Sequence, residues 1–254
     1  MSSSPYLPPE LEYDIFLLAF QSDEKEARNL ILVAKRVFDW LIPHIFNVVR
    51  LDVQPFPIRF NESTYRRYGK HTRHLFFESS QLRQYLHLFP NVIDLAFWAN
   101  CDETQIPVLL SLPLTRISIA PSPSLFQVFS KVTHLDLLTT FSSQFSTINP
   151  PGPVLEPLVY LPKLTHLSVL PSMPKEILNL FLDKERCPEL RVVIFWGLSD
   201  QAFPELDGDE ASLRNEGDAR ILRVKCDPRW DWEVGARGGV DMWKFADGIM
   251  ALRL

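Results

Sequence analysis

A short figure recurs eight times along the chain: an apolar or β-branched residue, two intervening positions, then two apolar residues one position apart. Two apolar residues at a spacing of two are what a strand with one buried face requires. The copies are VVRLDV from Val48, TRHLFF from Thr72, VIDLAF from Val92, LTRISI from Leu114, VTHLDL from Val132, LTHLSV from Leu164, LRVVIF from Leu190 and ARILRV from Ala219. Their fourth positions are Leu51, Leu75, Leu95, Ile117, Leu135, Leu167, Val193 and Leu222, and their sixth are Val53, Phe77, Phe97, Ile119, Leu137, Val169, Phe195 and Val224. All sixteen are apolar in a chain that is 46% hydrophobic overall, so composition does not account for the columns.

Between the strands, Ser80 to Phe89, Glu103 to Leu112, Ser122 to Phe129 and Pro174 to Glu185 carry helical character, and several return through a Pro-containing turn. Strand, helix, strand in repeated order predicts an α/β chain with a parallel sheet. Phe141 to Pro157 reads as a loop, and Ser199 to Asp218 as an acidic, solvated one lacking the alternating ligands of a calcium loop. From Gly239 to Leu254, Met242, Phe245, Ile249 and Leu252 recur at helical spacing, which predicts a terminal amphipathic helix capping the open end of the stack. Trp230 to Glu233 is expected to pack on the last repeat.

Period two also assigns the residues between the core columns to the opposite face. The first outward column is Arg50, His74, Asp94, Arg116, His134, His166, Val192 and Ile221. The second is Asp52, Phe76, Ala96, Ser118, Asp136, Ser168, Ile194 and Arg223, with Trp98 and Trp196 just past the strands beside Glu78, Leu170 and Lys225. Mixed charge with aromatics is the composition of a recognition surface. Its candidate substrate-binding residues are Arg50, His74, Asp94, Trp98, Arg116, His134, Asp136, His166 and Trp196. The blander alternative has Trp98 and Trp196 packing against neighbouring loops. His134 and His166 lack an evident third zinc ligand.

The repeats resemble leucine-rich repeats of an irregular kind, with start-to-start spacings from 18 to 32 residues and the LxxLxLxxN form, with its Asn, at Val92 to Asn100. The resemblance implies a solenoid over residues 48–254.

Ahead of it, Pro8 and Pro9 suit a first helical turn, with Glu10, Glu12 and Asp14 complementing the helix dipole. Leu11, Ile15 and Leu18 form one apolar face, widened by Phe16 and Leu17. A second helix is expected to start at Asp23 and Glu26 and to end near Lys35 and Arg36 or run on to Trp40, with Pro43 as a break and a short turn at His44 to Phe46. LPPEL, then Ile15 and Phe16, then LVAKR from Leu32 to Arg36 resemble an F-box, the helical module that joins a substrate receptor to the Skp-type adaptor of a cullin-RING ubiquitin ligase. Ala34 and Val37 depart from the common pattern, which has Cys or Ser and often Trp there. The resemblance covers residues 1–47 and is to the divergent F-box-like proteins abundant in fungi. It implies that Leu7, Pro8, Leu11, Ile15 and Val33 face the adaptor. Alternatively, the same residues form the core of a plain helical cap.

The remaining features narrow the function class. A net charge of -5 disfavours general affinity for nucleic acid or a membrane surface, and the basic stretch Thr64 to His74 is one short patch on an acidic chain. Three scattered cysteines, Cys101, Cys187 and Cys226, suggest neither a disulfide framework nor a zinc site. No signal-peptide pattern or membrane-length apolar run occurs, so a cytoplasmic or nuclear chain is expected. No GxSxG, HExxH, GxxxxGK[ST] or GxGxxG is present, and Gly235 to Gly239 does not follow a phosphate-loop pattern. Together with the resemblances, this predicts a non-catalytic receptor without cofactors, binding a Skp-type adaptor at one end and a protein substrate on the sheet. A stand-alone leucine-rich scaffold is the alternative.

Overall fold

The computed structural model describes residues 7–22, 29–51, 61–78, 80–98, 101, 103–120, 125–138, 161–169, 175–197 and 218–253. Eight strands form one sheet in sequence order with every neighbouring pair parallel. They are β1 (Val48–Leu51), β2 (His74–Phe77), β3 (Asp94–Phe97), β4 (Arg116–Ile119), β5 (His134–Leu137), β6 (His166–Val169), β7 (Val192–Gly197) and β8 (Ile221–Lys225). All eight repeated figures therefore fall on strands.

Parallel neighbours cannot be joined by a tight hairpin, so the chain must cross over between strands. The described crossovers contain α3 (Glu62–Tyr68), a 3₁₀ helix at Ser80–Leu88, α4 (Ile106–Ser111), α5 (Phe126–Phe129) and α6 (Lys175–Leu182). Asn61 starts α3 by accepting a hydrogen bond from the Thr64 amide, and a proline occupies the first turn of α4. Thr115, Thr133 and Thr165, each one residue ahead of a strand, donate from Oγ1 to a backbone carbonyl on the preceding strand's side at 3.0–3.1 Å. The same tie holds three successive strand entries.

The inner face is wholly apolar. Leu75, Phe77, Leu95, Phe97, Ile119, Leu135 and Leu137 are fully buried and meet Leu86, Phe89, Leu109, Val128, Phe129 and Phe181 from the crossovers in one continuous cluster. Phe77 lies 5.8 Å from Phe97 and 6.2 Å from Phe89, ring centre to ring centre. Each such side chain contributes roughly 1.5–3 kcal/mol by leaving water.

From β2 to β7 the register matches the expected columns. At both edges it does not. β1 pairs Val49 with Leu75 and Leu51 with Phe77, two residues out from the expected alignment, so Arg50 stands beside Phe76 rather than His74. A two-residue slip leaves every side chain on its own face, which is why alternation alone cannot detect it. β8 pairs Val193 with Ile221 and Ile194 with Leu222, a shift of one that exchanges its faces. Ile221 joins the inner core, while Leu222 joins Val192, Ile194 and Trp196 on the outer face. Both faces are apolar at this end, so the pattern did not discriminate between them. Asp52, Val53 and Leu170, like the two predicted loops apart from Asp218, lie outside the described residues.

At the N-terminus, α1 (Pro9–Ser22) starts where the prolines predict. Much of the second predicted helix, residues 23–28, lies outside the described residues, and the chain turns at residues 31–33. Then α2 (Lys35–Ile45) begins at the Lys35 and Arg36 expected to end a helix, and it continues through Pro43. Pro43 sits in the last turn and Phe46 still donates to Ile42 at 3.0 Å, so the missing amide does not terminate the helix. Tyr13 holds α1 against α2, edge-on to Trp40 at 5.8 Å and bonded to His44 at 3.1 Å. Phe46 packs on Tyr65 and Tyr68 of α3, which joins these helices to the sheet body.

The C-terminal segment departs most from expectation. It forms two helices, α7 (Pro228–Ala236) and α8 (Met242–Arg253), and they lie across the outer face instead of capping the end of the stack. Asp227 caps α7 by accepting from the Arg229 and Trp230 amides, with Pro228 in its first turn. Trp232 reaches Phe76 of β2, at the opposite end of the sheet from the last repeat on which it was expected to pack. Gly238, at φ +88°, allows the turn between the helices, and a Cβ on Gly235 would stand 2.3 Å from an Asp241 oxygen.

Replacing Phe97 with Ala is expected to destabilise the fold by about 3–5 kcal/mol, because it leaves a cavity in the packed layer between the sheet and the crossovers. Phe245→Ala, at a half-exposed helix position, is expected to change stability by less than about 0.5 kcal/mol. Urea unfolding monitored by circular dichroism distinguishes the two.

Candidate functional site

Two surfaces gather the residues singled out from the sequence. One is the outer face of the sheet. In β2 to β7, successive first-column positions His74, Asp94, Arg116, His134, His166 and Val192 stand side by side. The second column places Phe76, Ala96, Ser118, Asp136, Ser168 and Ile194 in the same way.

The sheet itself satisfies most of these polar groups. His74 Nδ1 meets Asp94 at 3.1 Å. Asp136 accepts from Ser118 at 2.6 Å and from Trp196 Nε1 at 3.0 Å, and Trp98 Nε1 donates to Ser118 at 3.2 Å. Trp98 and Trp196 are therefore pinned over the second column. His134 and His166 stack with ring centres 4.2 Å apart and planes 4° from parallel, each with Nδ1 against the hydroxyl of its own preceding threonine.

Side chains from the C-terminal helices cover this network. Arg50 pairs with Glu233, and Arg229 with Glu78, while Arg229 also lies over the Trp98 ring. Trp232 Nε1 approaches Asp94 at 3.3 Å. Asp241 caps α8 through the Lys244 amide and accepts from Arg116 at 3.0 Å; Asp247 meets His166 at 2.9 Å. Trp243 stands edge-on to both stacked histidines. Thus all nine predicted substrate-binding residues come to one face, and most of them touch the chain's own C-terminal segment. Glu233, Asp241, Asp247, Trp232 and Trp243 were not singled out for this role. The Asp-Pro start of α7 and the periodicity of α8 signal helices, but nothing local says where such helices dock.

Under the cover, a cavity of about 30 Å³ lies among Asp94, Arg116, His134, Asp136, Asp231 and Trp243, with room for a water or two. Burial, reinforced by His166 and Arg116, holds His134 down at about 3. Burial also lowers His166, against the opposing pull of Asp247. Asp231 moves the other way, raised to about 6 by burial and by Asp241 and Asp136, although it accepts from the Met242 amide. Among the described residues no group of three or more His, Cys, Asp or Glu side chains is arranged to hold a metal ion.

The second surface is on the N-terminal helices. Leu7, Leu11, Ile15 and Val33 are 43, 52, 55 and 64% exposed, Pro8 is exposed, and α1 has no buried residue at all. Its inward side is held by Tyr13 and by Glu12, which accepts from Arg36 at 2.6 Å. These residues do not form the core of a cap. No helix among the described residues is long and apolar enough to cross a membrane. In comparisons with protein-family models and with curated proteins, nothing matches this chain.

The two kinds of buried group respond to pH in opposite senses. Between pH 6.5 and about 3 the unfolded chain takes a proton at His134 that the folded chain refuses, so this group lowers stability as pH falls. Between 3.8 and about 6 the folded chain keeps a proton on Asp231 that the unfolded chain releases, so this group adds stability on the acid side and loses it as pH rises through about 6. His134→Phe is expected to flatten the acid-side loss, by up to about 1.4 kcal/mol per pH unit, and Asp231→Asn to steepen it. Urea-unfolding free energies from pH 4 to 8 provide the check.

Proposed function

We propose that this chain is a substrate-receptor subunit of an SCF-type, cullin-RING ubiquitin ligase. On this reading residues 1–47, with α1 and α2, form an F-box-like module that binds a Skp-type adaptor, and residues 48–254 are an irregular leucine-rich-repeat solenoid that holds a protein substrate. The observation that carries the proposal is the exposure of Leu7, Leu11, Ile15 and Val33, of which Leu11 and Ile15 lie one turn apart on α1. Leu18 and Leu32 are exposed as well, at 64 and 80%. A folded helix pair that leaves these large apolar side chains in water presents a surface for a partner, because apolar exposure on that scale disfavours solubility unless it is covered. The resemblance of LPPEL and of the segment around Val33 to an F-box supports the adaptor as that partner. Eight parallel strands in unbroken order support the repeat reading of the body.

The mechanism is proximity. The chain supplies no reacting group; it raises the local concentration of substrate lysines near the charged ubiquitin carrier of its partner enzymes.

A Leu11→Asp, Ile15→Asp double variant is expected to bind a Skp-type adaptor on the order of a hundredfold or more weaker than the parent, since each anchor contributes roughly 1–4 kcal/mol. Its circular dichroism should stay that of the parent because both side chains are already exposed. Failure of the folded parent chain to bind the adaptor would overturn the proposal.

A further inference from the structure

The two faces of the sheet are built from different chemistry. The inner face is apolar throughout and needs its crossovers to stay dry. The outer face carries Asp94, Arg116, Ser118, His134, Asp136 and His166, and much of its hydrogen bonding is closed within the sheet. Removing a cover from such a face leaves few orphaned polar groups, the property of a surface that can meet water or a partner.

The cover follows β8 directly in the chain. Its apolar anchorage, Met242, Trp243 and Ala246 against Val192, Ile194, Trp196 and Leu222, is a cluster separate from the main core. The rest of its hold is charge and aromatic contact. Glu233 meets Arg50, Asp241 meets Arg116 and Asp247 meets His166, while Trp232 and Trp243 lie on Phe76 and on the stacked histidines. His134, Arg116, Arg191, Asp247 and Thr165 are the charged and polar groups acting on His166.

We infer that α7 and α8 are a displaceable strap standing in for the substrate, and that the protein bound on this face offers a segment whose spaced carboxylates meet Arg50, Arg116 and His166, with aromatic anchors between them, and that competes the strap away. The inference rests on the receptor reading for the word substrate, while the strap's release is a property of this chain alone. A ligand of the same chemistry meets an internal competitor at high effective concentration, so it binds weakly until the strap is loosened.

Hydrogen exchange on the full chain tests the release, and a labelled synthetic peptide of residues 226–253 tests the recognition. In the parent, α8 amides should exchange at least about tenfold faster than those of β3 to β6. A Glu233→Arg, Asp247→Arg variant, altered only on the strap, should widen that gap by a further factor of about ten while the strands keep their protection. The peptide should bind this loosened variant at least about tenfold more tightly than the parent, and Arg116→Glu placed in the loosened variant should abolish binding. Exchange of α8 in step with the strands in both proteins would show that the helices leave only on global unfolding, and it overturns the strap. Absence of saturable peptide binding to the loosened variant overturns the carboxylate and aromatic specificity. Neither readout uses the adaptor, so loss of the ligase role would leave both results standing.

Discussion

Parallel pairing of eight short strands is the constraint on which the molecule depends. Strands of four to six residues cannot bury enough surface singly, and parallel neighbours demand a crossover each time. The crossovers supply the second wall of the core, bringing residues such as Phe89, Phe129 and Phe181 onto Phe77, Phe97 and Leu137. The threonine tie before β4, β5 and β6 repeats at the same place because the register repeats. Once the inner columns are aligned, the outer columns are aligned as well, and side chains distant in sequence become neighbours. His134 and His166 are 32 residues apart in the chain and 4.2 Å apart in space for no other reason.

The outer face follows from that alignment but obeys different energetics. Buried ion pairs add little net stability when both charges must be desolvated, whereas removing one partner leaves a costly orphan. Asp136 avoids this by accepting hydrogen bonds from Ser118 and Trp196, and it sits buried with its acidity weakened by desolvation despite those bonds. Arg50 and Arg116 lean outward to carboxylates of α7 and α8, keeping partial contact with water. The face is thus specific in geometry without being strongly adhesive. The N-terminal helices show the contrasting case of large apolar side chains held outward on a scaffold fixed by Tyr13, Trp40 and His44.

Much of this body was legible because burial on one side of a strand imposes alternation. The eight figures locate every strand among the described residues, and Leu75 with Phe77 or Ile117 with Ile119 identify the buried side without further help. The same signal failed at the edges for definite reasons. At β1, Val49 and Leu51 present the same alternation as Leu51 and Val53, so a slip of two is invisible. At β8, Ile221 and Leu222 are both buried, one on each face, so alternation had nothing to contrast. Pro43 misled because a proline removes one backward hydrogen bond without ending a helix whose next amides still bond, as Phe46 does to Ile42. Met242, Ile249 and their neighbours showed a helix with a buried side, but not what would bury it.

By itself, then, the sequence determined the strands, their inner columns from β2 to β7, and the company kept by the outward residues along that stretch. Those follow from local periodicity, which is a property of consecutive residues and survives without knowledge of the rest of the chain. Only the tertiary structure decided that the C-terminal helices would lie over the outward columns. That outcome turns on contacts such as Glu233 with Arg50, 183 residues apart, and Asp241 with Arg116, 125 residues apart. No local pattern encodes such a pairing, because a carboxylate on a helix has the same sequence neighbours whether it faces water or an arginine across the fold.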